Sequence, residues 1–168
     1  MEPYSKRRYH RPSAALRDMR QIVRERRRLR ALMRGEAIDA RFRERLMLAV
    51  TEVNGCRYCS YAHARAALKA GLSDDDIAAL SRGDLAGSPP DEAVALLYAR
   101  HWAETDARPD PEARRRVLET YGQTRTRDVE LVLRMIRVGN LLGNTWDYLL
   151  YRISLGRWGD GQPESSPG

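Results

Sequence analysis

Apolar residues recur every three or four positions along nearly the whole chain, the spacing that gives an α-helix one apolar face. Leu16, Met19, Ile22, Val23, Leu29 and Met33 keep this period, which predicts a helix from a Ser13 cap to about Met33, ended by Arg34-Gly35. Asp39 can cap a second helix whose Phe42, Leu46, Met47, Val50 and Val53 stay in register up to Asn54-Gly55. A third runs from about Cys56 to Ala70 and stops at Gly71. Ser73 starts a short one with acids in its first turn, where they suit the helix dipole. Gly83 to Pro90 reads as a loop, because Pro89-Pro90 forbids helix. Helices follow over about Asp91–Glu104 and Pro111–Tyr121, and Thr126 can cap a last long one over about Arg127–Leu155. No β alternation or long-period repeat interrupts the series.

In the last helix the apolar positions go most of the way round, from Val129, Leu131 and Val132 to Trp146, Leu149 and Ile153. Such a helix is central to a bundle or shared with another subunit. Gly139-Asn140 and Gly143-Asn144 repeat four residues apart and leave room for a helix to approach closely, so an oligomer is expected to use this surface.

Composition adds size and class. The 168 residues suit one domain, and the two cysteines exclude a disulfide-rich scaffold. No apolar stretch reaches the roughly 18 residues of a membrane span. The basic N-terminus is not followed by an apolar segment of the secretory kind, so a cytoplasmic protein is expected. The net charge of +7 is uneven: residues 1–35 carry twelve Lys and Arg against three acids, +9, which leaves −2 for residues 36–168. The division expected is a basic arm and amphipathic helix over 1–35, a helical domain over 36–156 and a disordered tail over 157–168. Clustered arginine could contact nucleic acid, but the segment lacks the interleaved aromatics of a single-strand binder. A solvated helix face is the plainer reading, with neither membrane nor nucleic acid expected as partner.

The chemistry concentrates between Glu44 and Ile77. Cys56 and Cys59 form a C-x-x-C pair directly after Asn54-Gly55, at a helix start. There the unpaired N–H groups and the positive dipole end favour a thiolate. His63 lies one turn past Cys59 and can take a proton from it, directly or through one water. Glu44, one helix earlier, can orient the imidazole, with Glu52 the competing candidate. Three readings stay open: a dithiol redox site; a zinc site drawing on Cys56, Cys59, His63 and Glu44; or two buried small side chains with a solvated histidine. The intracellular use of such cysteine pairs favours the first. No dinucleotide, P-loop or haem-attachment motif occurs, so no cofactor is expected. His10 and His101 receive no role.

Glu44, the twelve-residue step to Cys56, then Cys59, His63 and an Ala-Gly-Leu-Ser ahead of an acidic short helix together resemble the AhpD-like alkylhydroperoxidase branch of the carboxymuconolactone decarboxylase family. The resemblance is tight over about Arg41–Leu80. It implies an all-α helical bundle of six to seven helices that assembles as trimers or hexamers. It also implies an oxidoreductase of peroxidase or disulfide-reductase type, served by a lipoyl or thioredoxin-like dithiol reductant. By the same resemblance Cys59 attacks the hydroperoxide, Cys56 resolves, His63 relays the proton and Glu44 anchors the relay. Where that branch has a histidine just before the second cysteine, this chain has Tyr58, a poor base near neutral pH. The decarboxylase branch, which resembles the same fold with a histidine at the place of His63, supplies a cofactor-free alternative. A zinc-stabilised nucleic-acid-binding module is the other.

Overall fold

A computed structural model describes residues 4–159, and it is helical throughout. Seven helices follow in order among the described residues: α1 Pro12–Arg24, α2 Arg26–Met33, α3 Ala40–Asn54, α4 Arg57–Ala70, α5 Asp74–Ser81, α6 Ala93–Glu104 and α7 Pro111–Ile153. The expected all-α architecture and helix count both hold. None of these helices is long and apolar enough to cross a membrane.

The ends of the helices show why they stop where they do. Asp39 accepts from the backbone N–H groups of Arg41 and Phe42 and so starts α3. Gly55, with φ 66°, ends α3 in the left-handed region that an L side chain resists. One residue later Cys56 is the N-cap of α4. At α5, Ser73 and Asp76 close a reciprocal capping box.

Two boundaries depart from the sequence reading. The helix expected over Ser13–Met33 is interrupted at Glu25, where φ is −97° and ψ is 14°. The Glu25 carboxylate accepts from Arg127 of α7 at 2.6 Å, so the interruption sits where the arm is tied to the body. The two helices expected around Thr126 are both present within α7, but the break between them falls at Gly122, with φ 73° and ψ 170°, rather than beside Thr126. Glycine absorbs the change of direction in one residue, and Thr126 donates back to the Gly122 carbonyl at 2.8 Å instead of capping a new start.

α3 is the centre of the molecule and packs against α4, α5, α6 and α7. Phe42, Leu46 and Val50 meet Leu96 and Trp102 of α6 and Val132 and Leu133 of α7 in one core. A smaller cluster of Leu48, Ala67, Leu72, Ile77 and Leu80 holds α4 and α5 on the other side. Burial of such side chains contributes about 1.5–3 kcal/mol each before entropy is set against it. The basic segment is laid along the body, α1 and α2 both packing on α7. Of the expected disordered tail, residues 160–168 lie outside the described residues. The short part that is described turns back on α7, since Ser154 Oγ accepts from the Trp158 N–H at 2.7 Å.

Candidate active site

The α3–α4 junction brings the sequence-predicted residues together as two pairs, Cys56 with Cys59 and Glu44 with His63. Because Gly55 turns the chain within one residue, α4 starts against the end of α3 with Cys56 at its tip. The two sulfurs lie 2.9 Å apart, and both cysteines are free thiols. Cys56 Sγ also accepts from the Cys59 N–H at 3.4 Å, one of the donors a helix start leaves without a carbonyl partner. Cys56 is 1% exposed and Cys59 is half-buried.

These contacts divide the charge unequally. Hydrogen bonding from Cys59 pulls the Cys56 thiol down from 9.0 to about 7, against the opposing effect of burial. Cys59 is pushed well up, first because it is the hydrogen-bond partner of that anion, then by its own burial. The pair therefore loses its first proton as a unit, with the charge on Cys56 and the remaining proton on Cys59.

His63 Nδ1 lies 2.8 Å from Glu44 Oε2. A carboxylate oxygen only accepts, so Nδ1 carries the hydrogen and Nε2 is the nitrogen left to exchange protons. Glu44 is buried and is held from its other oxygen by Arg43 Nε at 3.2 Å. Arg43 in turn donates to the Leu32 and Met33 carbonyls at the end of α2, each at 3.1 Å. This chain of contacts ties the basic segment to the imidazole. Glu52, the competing candidate, lies instead beside Gly83 and Arg100.

The glycines of α7 face the thiols from within the same chain. A Cβ added at Gly143 would sit 2.9 Å from Cys56 Sγ, and one at Gly139 would sit 3.8 Å from Cys59 Sγ. The close approach read from this motif is thus made by the tip of α4. The asparagines beside these glycines are fully buried and bind the end of α3. Asn140 accepts from Asn54 at 3.1 Å and donates to Thr51 at 3.1 Å, while Asn144 donates to the Asn54 carbonyl at 2.7 Å. Such a buried network demands its geometry, because each unpaired group would cost about 1–3 kcal/mol.

Sequence reasoning gave no part to Arg43, Arg57 or Asp147. Tyr58 donates to Asp147 Oδ1 at 2.7 Å, and Arg57 donates to the same oxygen at 2.9 Å. Lys6 lies 3.9 Å from the other oxygen of this buried carboxylate. Tyr58 is thus committed to Asp147, a contact that raises its pKa. An acid inside the last helix, whose apolar positions run most of the way round, was the available signal, since a buried carboxylate needs cationic partners. Among the described residues, no three His, Cys, Asp or Glu side chains are grouped so as to share a metal ion. His101 Nε2 accepts from the Asp110 N–H at 3.1 Å and so secures the start of α7.

A thiol pair on a helix tip, one sulfur buried and the other half-buried, with a carboxylate-held imidazole on the next turn, defines a class of helical protein with a thiol–imidazole site. Residues 22–104 match the carboxymuconolactone decarboxylase family, and the matched segment contains Glu44, Cys56, Cys59 and His63. No curated protein and no solved structure matches the chain.

Proposed function

We propose that the protein is a C-x-x-C thiol peroxidase or disulfide reductase of the AhpD-like branch of the carboxymuconolactone decarboxylase family. The observation that carries this reading is the 2.9 Å approach of Cys56 and Cys59 at the tip of α4, with the Cys59 N–H on the Cys56 sulfur. Family membership alone would serve a decarboxylase equally well, but decarboxylation makes no use of two thiols in hydrogen-bond contact.

Cys59, the more accessible of the two, passes its proton to Cys56 across the shared hydrogen bond and attacks the distal oxygen of a hydroperoxide. The S–O bond forms as the O–O bond breaks, and the alkoxide leaves as alcohol with a proton relayed through His63 Nε2. Cys56 then attacks the sulfenic sulfur, water leaves and the disulfide closes. A lipoyl or thioredoxin-like dithiol restores the pair by two exchange steps. Glu44 fixes the imidazole through Nδ1 and Arg43 fixes Glu44. The reading places the enzyme in the cytoplasm, where the thiol pool keeps the pair reduced, and in a homo-trimer or hexamer.

The test is a thiol count on the native protein before and after a small excess of organic hydroperoxide. Loss of two thiols per chain to a Cys56–Cys59 disulfide, with one alcohol formed, is the expected result. Thiols that survive the peroxide unchanged would overturn the reading. Activity on a lactone acid that persists after both cysteines are replaced would transfer the site to the decarboxylase class.

A further inference from the structure

The redox reading leaves the arginine-rich segment without a role. Among the described residues its acids face inward: Asp18 pairs with Arg137 and Glu25 with Arg127, both partners on α7. Most of its arginines face outward, although Arg28 turns in to Asp128 of α7. Arg17, Arg20, Arg24, Arg26, Arg27 and Arg30 are all exposed, and among the described residues none has a carboxylate within ion-pair distance. Along the same outer face of α1 run Leu16, Met19 and Val23, spaced as one helical line and 58%, 45% and 56% exposed.

Three occupants suit a cationic face, and the apolar line decides among them. Nucleic-acid phosphates would match the guanidiniums but leave three aliphatic side chains against a hydrated groove, with no aromatic on the line to stack on a base. A second copy joined by a two-fold axis would set six unpaired guanidiniums against the same six. An anionic phospholipid surface presents phosphates and hydrocarbon in one plane, which is what a basic amphipathic helix with low overall hydrophobicity matches.

We propose that the outer face of α1 and α2 docks the protein on anionic phospholipid, with Leu16, Met19 and Val23 entering the headgroup boundary and the arginines on the phosphates. This departs from the sequence expectation of no membrane partner, because the sequence did not show that both acids turn inward. The inference does not depend on the thiol chemistry.

The test is sedimentation of the full chain with vesicles of phosphatidylcholine alone, or of phosphatidylcholine and phosphatidylglycerol in equal parts, at low and high salt. Binding to the anionic vesicles alone, weakened by salt, is expected. The triple variant Arg20→Glu, Arg24→Glu, Arg27→Glu should lose on the order of a hundredfold in affinity. The double variant Leu16→Ser, Val23→Ser should lose the part of the binding that survives high salt. Both should keep the native helix signal and melting temperature, since these side chains touch nothing in the core. Absence of vesicle binding, equal binding to neutral vesicles, or indifference to charge reversal would overturn the proposal. So would tighter binding to duplex DNA or single-stranded RNA at the same salt, or a fall from oligomer to monomer in the Leu16/Val23 variant.

Discussion

Gly143 sets how close α7 can lie to Cys56: a methyl group on its Cα would stand 2.9 Å from the sulfur and 3.6 Å from the Tyr58 ring. Sulfur and carbon do not share that distance, and Cys56 is buried at a helix cap, so neither side gives way cheaply. Gly143→Ala should therefore destabilise the protein by about 1–3 kcal/mol in chemical denaturation, although alanine is the better helix former. It should also slow alkylation of the thiols. Gly139→Ala is the internal control: its Cβ would meet Cys59 Sγ at 3.8 Å, an ordinary contact, so stability should be unchanged or slightly raised.

Cys59→Ser should abolish hydroperoxide turnover, whereas Cys56→Ser should leave a sulfenic acid on Cys59 that a dimedone reagent captures. Mass spectrometry of the trapped peptide reads the assignment directly, and a trap on Cys56 in the Cys59→Ser protein would reverse it.

The lowered pKa of Cys56 has a definite sign. Its anion is favoured by the fold, so the thiolate forms as pH rises through about 7, not through the ordinary 9.0. The rate of a single thiol alkylation should climb between about pH 6 and 8 and level off above that. In Cys59→Ala the Cys56 sulfur loses the side-chain donor on which the shift chiefly rests, and the rise should move to higher pH.

Arg43→Met leaves the buried Glu44 carboxylate with His63 alone. The loss should be about 3 kcal/mol, the low end for breaking a buried ion pair, because one partner remains. Glu44→Gln keeps the shape but weakens the hold on Nδ1. Its turnover should fall about a hundredfold, with a smaller change in melting temperature.

An apolar row on α7, Leu142, Trp146, Leu149 and Ile153, is 46% to 75% exposed. Its exposed flank carries Arg152, against the six outward arginines beside the row on α1, so copies meeting there face less like-charge repulsion. If the oligomer forms on this face, Trp146→Asp should yield monomers by sedimentation velocity with the helix signal intact. An unchanged oligomer would exclude it.

Much of this was local and therefore legible in the chain. Asp39, Gly55, Ser73 and Gly71 mark helix ends through the conformations and hydrogen bonds of single residues, and the 3.6-residue period reports which side of each helix is buried. The same logic placed Cys56 at a cap and His63 a turn beyond Cys59. Other features depend on distant segments meeting. Gly122 could not announce that it, rather than the region of Thr126, divides the two helical parts of α7, because that depends on what α6 and the arm pack against. Arg43 holds Glu44 only because the last carbonyls of α2 lie within its reach, and Asp147 is satisfied only because Arg57, Tyr58 and Lys6 arrive from elsewhere in the chain. Which sulfur bears the charge, whether Gly143 faces a subunit or a thiol, and whether the arm's acids turn inward all depend on distances across the fold. Residue spacing along the chain does not contain those distances; packing of the core sets them.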